Sequence, residues 1–260
     1  MKAGLGVIPL LALAIRLAVT TSAFAGQTPT APALRNSWTS TTDGLEIAVR
    51  SAGSAVVVLV RVDPARAALR VVRASDGASM TAADAARLVG AAAAINGGFF
   101  DAHGKPIGWL TCDGREIIPP GRAGWGAFVV RDGRAAMVGP RPSTTTGVSQ
   151  AVQAGPRLVV AGKPNPRLKV QSARRSFIGL DAQGRVILGT TGPSVVDARE
   201  FAAFLAKPEA DGGAGLVEAL NLDGGSSSQL HVRGAPDGDI DFPGIPVPTF
   251  IAIMPPAKAP

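Results

Sequence analysis

Two short apolar runs, residues 91–95 and 216–220, each break off into polar side chains and a Gly–Gly pair. The first continues as Asn96-Gly97-Gly98-Phe99-Phe100-Asp101, the second as Asn221-Leu222-Asp223-Gly224-Gly225-Ser226-Ser227-Ser228. Glycine at a strand end lets a ligand or a second backbone approach closely, and the serines add hydroxyls and N–H groups. The pattern therefore favours folds in which both strand ends face one cleft, suited to a polar, anionic substrate. A helix signal precedes each run: Thr81 with Asp84 three residues on, and Ser194 with Asp197 in the same spacing.

The remaining segments read mainly as strands. Residues 45–49, 55–62 and 68–72 precede the first helix, and Asp113-Gly114 and Asp132-Gly133 punctuate short strands after the first Gly–Gly pair as tight-turn signals. Residues 158–160, 175–180 and 185–188 follow, and 247–253 reads as a closing strand. The expected architecture is α+β: a single domain of mixed, mainly antiparallel sheets with two main helices. The recurrence of helix, strand and Gly–Gly raises the prospect of two pseudo-symmetric halves, with chance similarity as the alternative.

Residues 1–25 read as a signal peptide: Lys2, an apolar stretch over 5–15, and Ala23-Phe24-Ala25 before the cut. Arg16 interrupts the stretch, so no transmembrane segment is expected after cleavage. Residues 26–43, rich in Thr, Ser, Pro and Ala, read as a flexible lead-in to a domain over 44–256. The expected location is periplasmic or extracellular. Cleavage would remove Lys2 and Arg16 and no acid, leaving 24 basic and 19 acidic side chains, a net of +5. That surplus suits acidic partners such as phosphorylated glycans, but it is spread along the chain, with no basic run or zinc-finger spacing, so nucleic acid is not a partner. Protein partners leave no sequence signal. Cys112 is the only cysteine and reads as a small core or turn residue.

Several chemistries find little support. A serine hydrolase needs a base beside its nucleophile, yet the chain offers only His103 and His231 and no Gly-x-Ser-x-Gly elbow. Two isolated histidines and one cysteine give no zinc spacing, and there is no Walker loop. No motif requires a cofactor; a divalent cation such as calcium, held by Asp and backbone carbonyls near the Gly-rich loops, stays open. What remains is a carboxylate (Asp223), a carboxamide (Asn96), hydroxyls, and arginines at 157, 174 and 175. Arginine's planar fork matches phosphate oxygens in pairs, and a carboxylate can stabilise an oxocarbenium-like carbon. Together they suit a sugar–phosphate bond.

Four segments in order, Asn96 to Asp101, Ala154-Gly155-Pro156-Arg157-Leu158-Val159, Arg175-Ser176-Phe177-Ile178-Gly179-Leu180 and Ala219 to Ser227, resemble the motifs of the phosphodiester glycosidase family over roughly residues 45–255. That family includes the lysosomal uncovering enzyme and exported bacterial relatives, some associated with exopolysaccharides. The resemblance implies an active site at Asn96 and Asp223. It places Arg175 and Ser176 on the phosphate side, with Ser227 and Ser228 lining the pocket beside Gly97, Gly98, Gly224 and Gly225. Arg157 and Asp101 are further candidates, Asp101 with a turn role as its alternative. Ser226, Phe177 and Arg174 depart from the family's usual glycine, small residue and proline. The implied reaction releases free sugar and a phosphomonoester, with Asp223 as nucleophile or base and Asn96 positioning sugar or water. Trp109 and Trp125 are candidates to meet a sugar face, and Phe99 and Phe100 read as core anchors. A non-catalytic module that binds phosphorylated glycans is the alternative.

Overall fold

In the computed structural model, residues 35–256 apart from 76, 122 and 123 are described, so the expected signal peptide lies outside the described residues. In chain order the elements are β1 (Arg35–Ser40), β2 (Glu46–Ala52), β3 (Ala55–Val62), β4 (Leu69–Arg73), α1 (Ala82–Val89), β5 (Ala93–Asn96), β6 (Leu110–Cys112) and β7 (Arg115–Ile118). They continue with β8 (Gly126–Arg131), β9 (Arg134–Val138), β10 (Val148–Ala154), β11 (Arg157–Val160), β12 (Lys163–Pro164), β13 (Ser172–Ala173), β14 (Ser176–Asp181), β15 (Val186–Thr190) and β16 (Val196–Asp197). The last are α2 (Ala198–Ala206), β17 (Leu216–Asn221), β18 (Leu230–Val232), β19 (Ile240–Phe242) and β20 (Thr249–Ile253).

Three larger sheets enclose the core: eight strands in the order β1-β2-β3-β15-β14-β17-β11-β12, five as β19-β18-β5-β20-β4, and five as β7-β6-β10-β8-β9. β3 and β14 register antiparallel to their neighbours, as do β5 and β10, so the mainly antiparallel sheets and two helices that the sequence reading expected are present, within a fold that is mostly β. Alternation sorts the side chains: Val58, Val60 and Ile178 of the large sheet meet Ile95, Leu230 and Ile251 of the second and Phe128 and Val152 of the third. The opposite face of the large sheet, through Leu59 and Phe177, packs on Phe201 and Leu205 of α2. With both faces covered, residues 55–60 read as one apolar run. Helix α1 lies on the second sheet through Ala82, Ala85 and Ala86, whose small side chains let it sit close to Ala94 and Phe250.

Local chemistry explains the element ends. The capping box at Thr81 and Asp84 forms, and Gly90 closes α1 at φ 68°. Asp113-Gly114 and Asp132-Gly133 both have positive φ at each residue, the geometry of two-residue hairpins. At α2 the expectation is corrected: Asp197, not Ser194, is the N-cap, accepting from the Arg199 and Glu200 N–H groups. The helix starts later because Val196 and Asp197 are extended and pair with Ala173 and Ser172. A strand also lies inside the expected lead-in, since Arg35–Ser40 pairs with β2. Pseudo-symmetry ends at helix, strand and turn: β5 lies between β18 and β20, both later in the chain, whereas β17 lies between β14 and β11, both earlier.

Candidate active site

The two Gly–Gly turns are built into one structure. The Asp223 N–H donates to the Gly97 carbonyl at 3.1 Å, and the Asn96 side-chain amide donates to the Asp223 carbonyl at 2.7 Å across 127 residues of sequence. The Asn96 Oδ1 in turn accepts the Gln229 N–H at 3.1 Å. Asn96 is wholly buried, and its carboxamide joins the two loops through both its nitrogen and its oxygen.

Glycine is required where the loops close. A Cβ on Gly98 would stand 2.6 Å from the Gln153 carbonyl oxygen, and one on Gly97 2.6 Å from the Thr249 hydroxyl. Gly225 takes φ 60° and donates its N–H to the Arg174 carbonyl at 2.9 Å. A short 3₁₀ turn over Gly225–Ser227 then carries the chain back past Asp223.

The Asp223 carboxylate is half-buried and accepts the Gly224 N–H at 2.9 Å. Burial pushes its pKa above the ordinary carboxylate value, while hydrogen bonds from the Ser227 hydroxyl and the Gly224 N–H pull against that rise. A carboxylate held this way takes up a proton more readily, which suits a general base or nucleophile. Beside it, Ser176 and Ser228 are wholly buried, and their Oγ atoms make no hydrogen bond among the described atoms. Ser176 belongs to the neighbouring strand, where its carbonyl accepts the Leu222 N–H at 2.9 Å.

The arginines separate. Arg175 is buried, donates to the Gln171 carbonyl and leaves Nε without a partner. Burial lowers its pKa against the opposing pull of Asp197. Arg157 is ion-paired with Glu218 on the adjacent strand. Asp101 accepts the His103 and Lys105 N–H groups, each at 2.9 Å, and those bonds hold its carboxyl below the ordinary range. The structure thus gathers Asn96, Gly97, Gly98, Asp223, Gly224, Gly225, Ser227 and Ser228, sets Ser176 at the start of the neighbouring strand with Arg175 just before it, and commits Asp101 to its turn and Arg157 to Glu218.

Of the tryptophans, Trp109 is core, its indole N–H bonded to the Thr111 hydroxyl at 2.9 Å. Trp125 is half-buried against Phe99, ring centroids 4.7 Å apart. Of three positioning residues, Gln153 and Gln229 escaped the sequence reading. The Gln153 Oε1 accepts the Trp109 and Gly121 N–H groups, each at 2.8 Å. Gln229 reaches from the second turn to the Ala82 N–H at 2.7 Å and the Ile245 carbonyl at 2.8 Å. Arg174 grips the second turn, as detailed below. Two glutamines, Gln150 and Gln153, among the Val and Ala residues of β10 were the available signal for Gln153. Among the described residues no three His, Cys, Asp or Glu side chains gather as metal ligands.

The sequence profile of the family described as phosphodiester glycosidase matches residues 89–254. Comparison with curated proteins finds no match. Among solved structures, the zebrafish N-acetylglucosamine-1-phosphodiester alpha-N-acetylglucosaminidase catalytic domain, auto-inhibited by its pro-peptide, aligns with TM-score 0.61 and 19% identity over 84% of this chain and 81% of that one. A hypothetical protein from Synechocystis aligns with TM-score 0.54 and 18% identity, covering 80% of this chain and 61% of that one. A Burkholderia pseudomallei protein assigned as exported gives TM-score 0.54 and 16% identity over 82% and 75%. These likenesses establish a shared fold.

Proposed function

The chain belongs to the phosphodiester glycosidase family, and from that premise we propose that it hydrolyses a sugar-1-phosphodiester at the anomeric carbon. The observation that carries the reading is the joining of the two Gly–Gly turns, which presents Asp223, half-buried and with raised proton affinity, at their junction. Water adds to the anomeric carbon, the carbon–oxygen bond to phosphate breaks, and the phosphomonoester departs with the bonding electrons. Asp223 takes the proton from water, or attacks first and is released by water in a second step. Phosphate leaves readily, so a strong general acid is less necessary than in other glycosidases, and neighbouring guanidinium charge offsets what develops on it. The buried hydroxyls of Ser176 and Ser228 and the Arg175 Nε, all without partners, fit the phosphate side of such a site.

Export completes the proposal. Residues 1–25 have signal-peptide character, and no helix among the described residues is long and apolar enough to cross a membrane. Processing of envelope or exopolysaccharide glycans is the role that chemistry would serve. The test is release of free sugar from a panel of sugar-1-phosphodiesters by wild type and Asp223→Asn. Turnover by wild type alone supports the reading. Tight binding without turnover by either protein would instead identify a glycan-binding module.

A further inference from the structure

Arg174 and Arg175 are consecutive and point to different surroundings. Arg175 donates to the Gln171 carbonyl. Arg174 holds that turn at both ends. Its carbonyl accepts the Gly225 N–H at 2.9 Å, and its Nη2 donates to the Ser228 carbonyl at 2.7 Å. The guanidinium is fixed further by Nε on the Gly192 carbonyl at 2.7 Å and Nη2 on the Pro243 carbonyl at 3.2 Å.

Three main-chain carbonyls orient this group, and none of them neutralises it. Arg157 has Glu218 and Arg61 has Glu46, but no carboxylate is paired with Arg174 among the described residues. Nη1 makes no hydrogen bond among the described contacts, so two N–H groups of a rigidly held, half-buried cation remain to be used. A second observation points the same way. Ser228, whose carbonyl Arg174 grips, and Ser176, two residues along from Arg174, are wholly buried with hydroxyls that find no partner. Unpartnered hydroxyl donors and an uncompensated guanidinium are each complemented by an oxyanion.

We propose that Arg174 is an oxyanion-binding residue that holds the phosphate of the substrate through Nη1. This rests on the glycosidase reading for the identity of the oxyanion, though binding of a bare oxyanion does not. Arginine suits the position because its fork serves three carbonyls and still presents an outward edge. Lysine, a single point donor, cannot do both.

The test measures inorganic phosphate binding calorimetrically, and hydrolysis of a methyl sugar-1-phosphodiester whose only charge is the phosphate. Wild type, Arg174→Gln and Arg174→Lys are compared. Gln can still donate to a carbonyl and so preserves the turn while carrying no charge; thermal unfolding checks that the variants are folded. Expected is a roughly ten- to hundredfold loss of phosphate affinity in Arg174→Gln, with KM raised by a similar factor and an intermediate loss in Arg174→Lys. Inorganic phosphate should inhibit wild type competitively and the Gln variant far less. Unchanged phosphate affinity and KM in folded Arg174→Gln overturn the inference and leave the glycosidase reading standing. An unchanged KM with lost phosphate binding also overturns it, because the oxyanion is then another charged group of the glycan. Phosphate binding that depends on Arg174, in a wild type that cleaves no sugar phosphodiester, sinks the functional reading and keeps the oxyanion site.

Discussion

Removing the Asn96 carboxamide should damage the fold before it damages chemistry. Asn96→Ala deletes the donor to the Asp223 carbonyl at 2.7 Å and the acceptor for the Gln229 N–H at 3.1 Å. Asn96 is wholly buried, and neither main-chain group has another partner among the described contacts. Leaving a buried donor or acceptor unpaired costs about 1–3 kcal/mol each, so the pair amounts to about 2–6 kcal/mol. Whole-domain stabilities run to about 5–15 kcal/mol, so the variant stands near the limit of folding. For a domain of this size about 4 kcal/mol lowers Tm by about 8–16 °C, which calorimetry or circular dichroism reads directly. Asn96→Asp sharpens the test. Its carboxylate can still accept from Gln229 but meets the Asp223 carbonyl as oxygen against oxygen, whereas the protonated acid can donate as the amide does. Its folded pKa is therefore raised, and its stability should recover as pH falls. An Asn96→Ala protein that melts within 2 °C of wild type, roughly half a kcal/mol, yet has lost turnover would refute the argument: the carboxamide would then act on substrate.

The remaining predictions concern charge. Because the folded Asp223 pKa is raised by burial, ionising it works against the fold: the penalty is absent below the unfolded value near 3.8 and grows as pH rises through the folded pKa. Asp223→Asn should therefore melt above wild type at neutral pH, with the gap closing towards pH 3.8; equal melting at pH 7 would contradict this. Glu209 is the opposite case. Burial alone would raise it, but the Trp38 indole N–H at 2.6 Å and Arg50 at 3.3 Å hold it below the ordinary 4.5. Its contribution is present above pH 4.5 and is lost as pH falls through the folded value, so Glu209→Gln should lower Tm by about 2–6 °C at pH 7 and flatten the acid decline seen in wild type.

Much of this arrangement was legible locally. The Thr81 box, the Asp-Gly hairpins and the two Gly–Gly strand ends depend on neighbours within four residues, and each formed as its chemistry dictates. Residues 35–40 did not look like a strand because the edge they pair with, β2, gives them a ladder that their own composition does not demand. The site divides in the same way. The place of Asp223 at a strand end before a Gly–Gly turn was readable. The bracket role of Asn96 was not, since its partners lie 127 and 133 residues away. Nor could the sequence say which of two adjacent arginines faces the turn, a choice made by carbonyls at 192, 228 and 243.

The position of β20 between β4 and β5 sets an order of events. The strand that carries Asn96 obtains both of its sheet neighbours, residues 230–232 and 249–253, from late in the chain. A ribosome that has delivered the first Gly–Gly turn has delivered nothing for that strand to pair with, and β4, though close in sequence, is never its direct neighbour. Loop closure over such separations is slow compared with local helix formation. The junction that holds Asp223 therefore waits on residues 230–253, which supply both neighbours of the strand that carries Asn96. Residues 249–253 thus set when the turn that carries Asp223 can be held in place.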